Sequence, residues 1–270
     1  MTGPIDVGTA VVLGAVQGLT EFLPISSDGH VALFAMLFGV SDELPLSMVV
    51  MLHVGTLIAT LIAFREDVAL VARDTLSGLR EPRAFLATPS GKLVAGILIA
   101  SVPTALIGLA IEDHVEGWAR VPWIVGACLL LSAVAVFATR RGGGEAEVLP
   151  PWQALFIGVA QGLAVLPGLT RSGSTIAVAM LLGLTGPAAF RFSFLLSLPA
   201  IFGATLLKAR DYEELAALGP GVIAGALTAL VVGYLALRWL RSIVNQGRFW
   251  TFGLYLVPLG LGIVAWDLLR

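Results

Sequence analysis

Two short polar segments interrupt an otherwise apolar chain, and they carry most of the side chains that could do chemistry. The first, QGLTEFLPISSDGH from Gln17 to His30, is here called the glutamate motif. The second, PGLTRSGST from Pro167 to Thr175, is called the arginine motif. Polar and ionisable groups at membrane depth are costly, so such groups are functional candidates by default.

The arginine motif has the composition of a phosphate-binding turn. Pro167 and Gly168 break a helix, and a polar run then leads into a second apolar helix. Backbone N–H groups, hydroxyls and a guanidinium at a helix N-terminus suit a phosphate oxyanion. Helix capping would account for the hydroxyls, but not for an arginine inside an apolar segment. We therefore predict that phosphate contacts come from Arg171, Ser172, Gly173, Ser174 and Thr175.

The glutamate motif offers a cation site. Gln17 and Glu21 are four residues apart and share one helical face. With pyrophosphate oxygens nearby, a carboxamide and a carboxylate could hold Mg²⁺ or Ca²⁺, whose preferred ligands are oxygens. Glu21 could instead act as a base or pair with Arg171.

The same motif also offers groups for covalent and proton chemistry. After a break at Pro24, a hydroxyl nucleophile and a histidine able to move a proton near neutral pH follow within a few residues. The residues of this run are Ser26, Ser27, Asp28 and His30.

The composition indicates which elements must position these motifs. Hydrophobic residues make up 57% of the 270 and charged residues 13%, and the mean hydropathy is +0.94. These values predict an all-α polytopic membrane protein. The net charge of −2 does not favour a nucleic-acid partner. A single cysteine, Cys128, allows no internal disulfide.

Six apolar stretches are long enough to cross a bilayer core of roughly 30 Å. They lie near residues 46–64, 93–111, 121–139, 188–207, 219–240 and 249–268. Two further stretches, about 6–40 and 152–186, are broken midway by the two motifs. We read each as a re-entrant helix pair, with a kinked full span as the alternative.

The two halves of the chain resemble each other. GAVQGL from Gly14 to Leu19 recurs as GVAQGL from Gly158 to Leu163. This suggests one membrane domain with a repeat at about 1–139, a linker at 140–151 and a second repeat at about 152–270. The alternative is that glycine- and leucine-rich helices resemble each other by chance. Three spans per repeat would make the copies inverted, which predicts that both motifs face one midplane cavity.

Basic residues predict the orientation of the chain. Arg80 and Arg141 lie in arginine-bearing connections, and the positive-inside rule places these in the cytoplasm. The connections at Glu112 to Arg120 and Lys208 to Glu214 are acidic or mixed and are expected outside.

Both motifs resemble signatures of one family, the undecaprenyl-pyrophosphate phosphatases, also called bacitracin-resistance proteins. The resemblance covers nearly the whole chain, including FSFLLSLPAIFGATLL at residues 192–207. It implies an enzyme that hydrolyses undecaprenyl pyrophosphate to the monophosphate, recycling the lipid carrier for peptidoglycan synthesis. It also implies a divalent-metal requirement, a bacterial cytoplasmic membrane location and a site facing the outer side. The chain could act as a homodimer.

By this resemblance, the catalytic positions are Glu21, Ser27, His30 and Arg171, with Ser26 beside the phosphate. Gln17 stands where many members have glutamate, Asp28 replaces a small or hydroxyl residue, and Thr170 replaces serine. Whether Ser27, His30 or water attacks phosphorus stays open at this point. A lipid-phosphate flippase with the same anion site is the alternative function; the pair of Ser27 and His30 favours hydrolysis, because transport needs no group to attack phosphorus.

Overall fold

The computed structural model describes residues 5–38, 44–141, 143–208 and 219–269, and within them the chain is all-α with no strand. The twelve helices of this described part are Val7–Phe22 (α1), Ser27–Leu37 (α2), Leu46–Ala63 (α3), Arg65–Gly78 (α4), Pro82–Ala87 (α5), Pro89–Ala119 (α6), Pro122–Ala138 (α7), Ala154–Leu163 (α8), Arg171–Leu181 (α9), Gly186–Lys208 (α10), Pro220–Asn245 (α11) and Gly253–Leu268 (α12). Short 3-10 turns precede α8 and α12.

Five helical stretches of the described chain are long and apolar enough to cross a membrane, and they coincide with five of the six predicted spans. They are Leu46–Ala63, Pro89–Val115, Gly186–Leu207, Pro220–Asn245 and Phe249–Leu268. The sixth, α7, is an apolar helix of 17 residues, at the lower end of the length that spans a bilayer. The chain is a multi-pass, all-α membrane protein.

One predicted connection is wrong. The acidic stretch from Glu112 was expected to be a loop, but α6 continues without a break to Ala119. Glutamate is a good helix former, so charge in this stretch does not interrupt the backbone hydrogen bonds. The predicted connection at 208–214 lies, apart from Lys208, outside the described residues.

Both broken segments consist of two helices separated by a short turn. In the first, α1 ends at Phe22 and α2 begins at Ser27. In the second, α8 ends at Leu163 and α9 begins at Arg171. The helices of each pair pack against each other. The inverted orientation of the two copies stays a prediction.

The contacts divide the chain into two compact units. Unit 1 contains residues 1–63 and 198–240, and unit 2 contains residues 64–197 and 241–270. The glutamate motif therefore belongs to unit 1 and the arginine motif to unit 2. The linker predicted at 140–151 lies inside unit 2, where the backbone N–H of Ala146 donates to the Gly183 carbonyl at 3.1 Å.

In unit 1, α1 packs directly against the backbone of α11. A Cβ atom added at Gly14 would lie 2.3 Å from the Gly225 carbonyl oxygen. Small residues let membrane helices approach this closely. Beside this contact, Leu13, Met48 and Leu52 form part of a buried apolar cluster, which fixes α1 as the support of the glutamate motif.

In unit 2, α8 packs in the same way against α6. A Cβ atom at Gly158 would lie 2.2 Å from the Ala100 carbonyl oxygen. The Thr104 hydroxyl also donates to the Gly158 carbonyl at 3.0 Å. This contact fixes α8 as the support of the arginine motif.

Candidate functional site

The turn of the glutamate motif is a tight and strained link between α1 and α2. The chain leaves α1 at Leu23 in an extended conformation and reaches Ser26 with a φ of 71°. A non-glycine residue in this left-handed region is uncommon, and such residues cluster at functional sites. Because α2 starts at the next residue, this conformation directs the Ser27 side chain back towards the end of α1.

The Glu21 carboxylate collects two hydrogen bonds within the motif. The Ser27 hydroxyl donates to Glu21 Oε2 at 3.0 Å, and Gln17 Nε2 donates to the same oxygen at 3.1 Å. Gln17 is only 2% exposed, whereas Glu21 and Ser27 are half-buried. A hydroxyl within hydrogen-bonding reach of a carboxylate is the arrangement expected for a nucleophile and its base.

His30 is held by the strained turn itself. Its Nδ1 lies 2.8 Å from the Ser26 carbonyl oxygen. Because that oxygen can only accept, Nδ1 carries the proton, and Nε2 is the ring nitrogen with acceptor character. The turn thus sets the tautomer of His30 as well as the direction of Ser27. Asp28, at the start of α2, is exposed.

The turn of the arginine motif is fixed by its backbone. Gly168 has a φ of +91°, and a Cβ atom there would lie 2.4 Å from the Val125 carbonyl oxygen. The Thr170 backbone N–H donates to the Ser132 hydroxyl on α7 at 3.0 Å. These two contacts anchor the turn to α7, and α9 begins immediately afterwards at Arg171.

The start of α9 presents polar groups that its own helix does not use. Thr170 occupies the N-cap position without a side-chain cap. Within the described residues, the buried hydroxyls of Thr170 and Ser172 make no hydrogen bond. The first N–H groups of a helix have no intrahelical acceptor, and together with the helix dipole they favour an anion.

The predicted phosphate ligands that follow Arg171 in α9 are buried, and one of them is engaged in the packing of unit 2. Ser172, Gly173 and Ser174 lie in the first turn of α9 and are buried. The Thr175 hydroxyl is engaged internally, because it donates to the Arg171 carbonyl at 2.8 Å and lies 2.5 Å from the Ser193 hydroxyl on α10. Ser26 of unit 1 contributes its carbonyl to His30.

Two contributors to this site were not found from the sequence. Ser132 is the single serine in the apolar run of α7. Phe194 lies in α10, and its ring centroid is 5.9 Å from Arg171 Cζ. A single serine in a spanning helix is one signal that could have identified Ser132 as a polar anchor. Phe194 carries no such signal, since phenylalanine is common in apolar helices.

The oxygen atoms of the glutamate motif suit a divalent cation whose other ligands would come from the phosphates of a substrate. In the described part of the chain, no group of three or more His, Cys, Asp or Glu side chains is arranged to hold a metal ion. Glu21 supplies one carboxylate, and a flip of the Gln17 amide would present its oxygen. Mg²⁺ is commonly bound by one or two carboxylates together with substrate phosphates and water.

Comparison with known proteins places the chain in a family. The family model described as "Bacitracin resistance protein BacA" matches residues 10–262. A protein of Desulfosudis oleivorans named undecaprenyl-diphosphatase is 45% identical over 95% of this chain and 96% of its own length. Proteins with the same name are 38% identical in Korarchaeum cryptofilum, over 97% and 99%, and 34% identical in Methanosphaera stadtmanae, over 95% and 96%. With near-complete coverage on both sides, the chain belongs to the BacA family of bacitracin resistance proteins.

Proposed function

We propose that this protein is an undecaprenyl-diphosphatase, which hydrolyses undecaprenyl pyrophosphate to undecaprenyl phosphate and inorganic phosphate. The relatives named above support the activity. The observation that carries it in this chain is the hydrogen bond from the Ser27 hydroxyl to the Glu21 carboxylate, 3.0 Å long. A transporter has no need of an activated hydroxyl, so this contact favours hydrolysis over lipid transport.

The glutamate motif supplies the bond-making chemistry. Ser27 Oγ attacks the terminal phosphorus and gives its proton to Glu21. The bond from that phosphorus to the bridging oxygen breaks, and the lipid phosphate leaves with its negative charge. Water then cleaves the phosphoserine: His30 Nε2 accepts a proton from the attacking water and passes it to the inorganic phosphate that is released, and Glu21 returns its proton to Ser27 Oγ.

The arginine motif supplies the electrostatic stabilisation. In phosphoryl transfer, charge is spread over the equatorial oxygens, so catalysis rests mainly on positioning and fixed donors. The Arg171 guanidinium offers a planar pair of N–H donors to phosphate oxygens. The N–H groups at the start of α9 and the Ser172 hydroxyl add donors that need no reorganisation.

Glu21 and Gln17 are the residues that would hold a divalent cation, with pyrophosphate oxygens completing its ligands. The cation would neutralise phosphate charge during the reaction. The donor set described above supports this assignment, since a single carboxylate suits a cation that arrives with its substrate.

Phosphate release by the purified protein tests the proposed function. Undecaprenyl pyrophosphate in detergent is the substrate, and the assay is run with and without EDTA. We expect stoichiometric release of phosphate and undecaprenyl phosphate, loss of activity with EDTA, and recovery on adding Mg²⁺ or Ca²⁺. A folded protein that releases no phosphate would contradict the function, and undiminished activity in EDTA would contradict the cation.

We also propose a bacterial cytoplasmic membrane location with the reaction on its outer side. The arginine-rich connections support the orientation of the chain in this membrane through the positive-inside rule. In a Cys128→Ala background, single cysteines at Arg80 and His114 can be treated with an impermeant thiol reagent on intact cells. We expect labelling at His114→Cys and none at Arg80→Cys; the reverse pattern would overturn the orientation.

A further inference from the structure

A buried aromatic ring lies against the guanidinium of the arginine motif. Arg171 Cζ lies 5.9 Å from the centroid of Phe194, within the range of a cation–π interaction. Phe194 is completely buried, whereas Arg171 is half-buried. One face of the ring therefore offers Arg171 a surface that solvent does not disturb.

The ring itself is fixed by two further phenylalanines. Phe64 stacks on Phe194 with centroids 5.7 Å apart and an interplanar angle of 23°. Phe190, one turn earlier on α10, lies 4.7 Å from it. Both neighbours are buried. The Phe194 side chain therefore keeps one rotamer, because a close-packed core leaves little room for other side-chain conformations.

The position of α9 relative to α10 is fixed next to this ring. Ser193, the residue before Phe194, has its hydroxyl 2.5 Å from the Thr175 hydroxyl. Thr175 in turn bonds to the Arg171 carbonyl at 2.8 Å. Two hydrogen bonds within unit 2 thus connect the backbone of Arg171 to Ser193, the residue next to Phe194.

We propose that Phe194 is a positioning residue for Arg171, which holds the guanidinium by its face so that the N–H edges address phosphate oxygens. The inference rests on the proposed function and adds a residue to it. An aromatic ring suits this task because it attracts a cation without neutralising it. The ring therefore orients Arg171 without removing the positive charge that would face the developing phosphate charge.

Replacement of the ring by an aliphatic side chain tests the proposal. Phe194→Leu removes the π face, and we expect kcat for undecaprenyl pyrophosphate to fall by about 3- to 30-fold, the range of a partly desolvated cation–π contact. KM should stay within about twofold, because orientation matters most in the transition state. Phe194→Tyr keeps the ring and should recover most of the lost kcat.

A second buried phenylalanine of unit 2 provides the matched control. Phe249 is 1% exposed and lies outside the Phe64–Phe190–Phe194 cluster. Phe249→Leu should lower the melting temperature about as much as Phe194→Leu does, yet leave kcat unchanged. In an Arg171→Gln background, Phe194→Leu should have less than a twofold further effect, because no cation remains to be positioned.

The outcomes separate this proposal from the proposed function. If the wild-type protein releases no phosphate, both are wrong. If the wild-type is active and a folded Phe194→Leu protein keeps its kcat, only the positioning role is wrong. The same follows if Phe249→Leu lowers kcat equally, or if Phe194→Leu has its full effect without Arg171.

Discussion

The glutamate motif and the arginine motif stand in matching frameworks. Gly14 and Gly18 of α1 lie 144 residues before Gly158 and Gly162 of α8, and all four make close approaches to a neighbouring helix of their own unit. The helices after the turns, α2 and α9, both have 11 residues and are offset by the same 144 positions. A buried glutamine, Gln17 or Gln161, precedes each turn.

The side chains of the turns differ at the positions to which the proposed mechanism assigns chemical roles. Glu21 corresponds to Val165, Ser27 to Arg171 and His30 to Ser174 at the 144-residue offset. One turn therefore offers an acceptor and groups that transfer protons, and the other offers cationic and neutral donors. Similar helix–turn–helix frameworks thus carry side chains of opposite character, because the backbone sets the position and the side chain sets the charge.

A large effect on turnover should come from the carboxylate that the arginine motif lacks. Glu21→Gln removes the proton acceptor of Ser27 and the cation ligand, and we expect kcat to fall by about 10³-fold. The melting temperature should change little, since glutamine has the same shape. Phosphate release and thermal unfolding in detergent measure the two quantities; near-normal turnover with unchanged EDTA sensitivity would remove Glu21 from the chemistry.

The matching change in the arginine motif should cost less. Arg171→Lys keeps the charge but loses the planar pair of donors, so we expect kcat to fall by about 10²-fold. Arg171→Ala should lose more than Arg171→Lys. A rise in KM with kcat preserved would show that Arg171 only binds the ground state, and wild-type activity in folded Arg171→Ala would exclude the anion-binding role of the turn.

The two glutamines should respond differently to the same substitution. Gln161 Nε2 lies 3.5 Å from the Thr104 hydroxyl and from the Leu196 carbonyl, so Gln161→Glu puts acceptors together in a buried place. We expect a loss of stability of about 2–3 kcal/mol, measured by thermal unfolding. In the presence of Mg²⁺, Gln17→Glu should keep activity within about threefold and lower the cation concentration required, because a bound cation would offset the charge that the new carboxylate brings beside Glu21. Equal loss of stability would contradict the distinction between the two positions.

The smallest effect concerns the N-terminal caps of α1 and α8, the first helices of the two frameworks. Asp6 caps α1 by accepting from the Thr9 hydroxyl and from the Thr9 N–H, which lowers the pKa of Asp6 below 3.8, whereas α8 has no side-chain cap. Because the folded pKa is lowered, the stabilisation is present above pH 3.8 and is lost as the pH falls through the folded value. Asp6→Ala should lower the melting temperature slightly at pH 7, and its difference from wild type should shrink as the pH is lowered below 3.8. A difference that does not shrink on acidification would exclude the charge as its cause.

Hydropathy and helix breakers were enough to predict most of the fold. Five spans and both broken segments follow from apolar length and from prolines such as Pro24 and Pro167, because lipid forces the backbone to satisfy its own hydrogen bonds. The continuation of α6 past Glu112 was missed, since charge was taken as the end of a span. Helix formation and membrane insertion have different requirements, and only the second excludes charge.

The residues of the motifs were predictable, but their contacts were not. The hydrogen bond between Ser27 and Glu21 depends on the left-handed conformation of Ser26, which the sequence does not indicate at a serine. Phe194 approaches Arg171 only through the packing of α9 on α10. The expectation that both motifs face one cavity stays a prediction.

Binding and turnover measured together for Ser27→Ala separate the reacting role of the glutamate motif from the phosphate-stabilising role of the arginine motif. Radiolabelled undecaprenyl pyrophosphate bound to the purified protein gives Kd, and phosphate release gives kcat. We expect Ser27→Ala to lose turnover almost completely and to bind with a Kd within about threefold of wild type. A folded Ser27→Ala protein that releases phosphate at the wild-type rate would show that Ser27 is not the nucleophile.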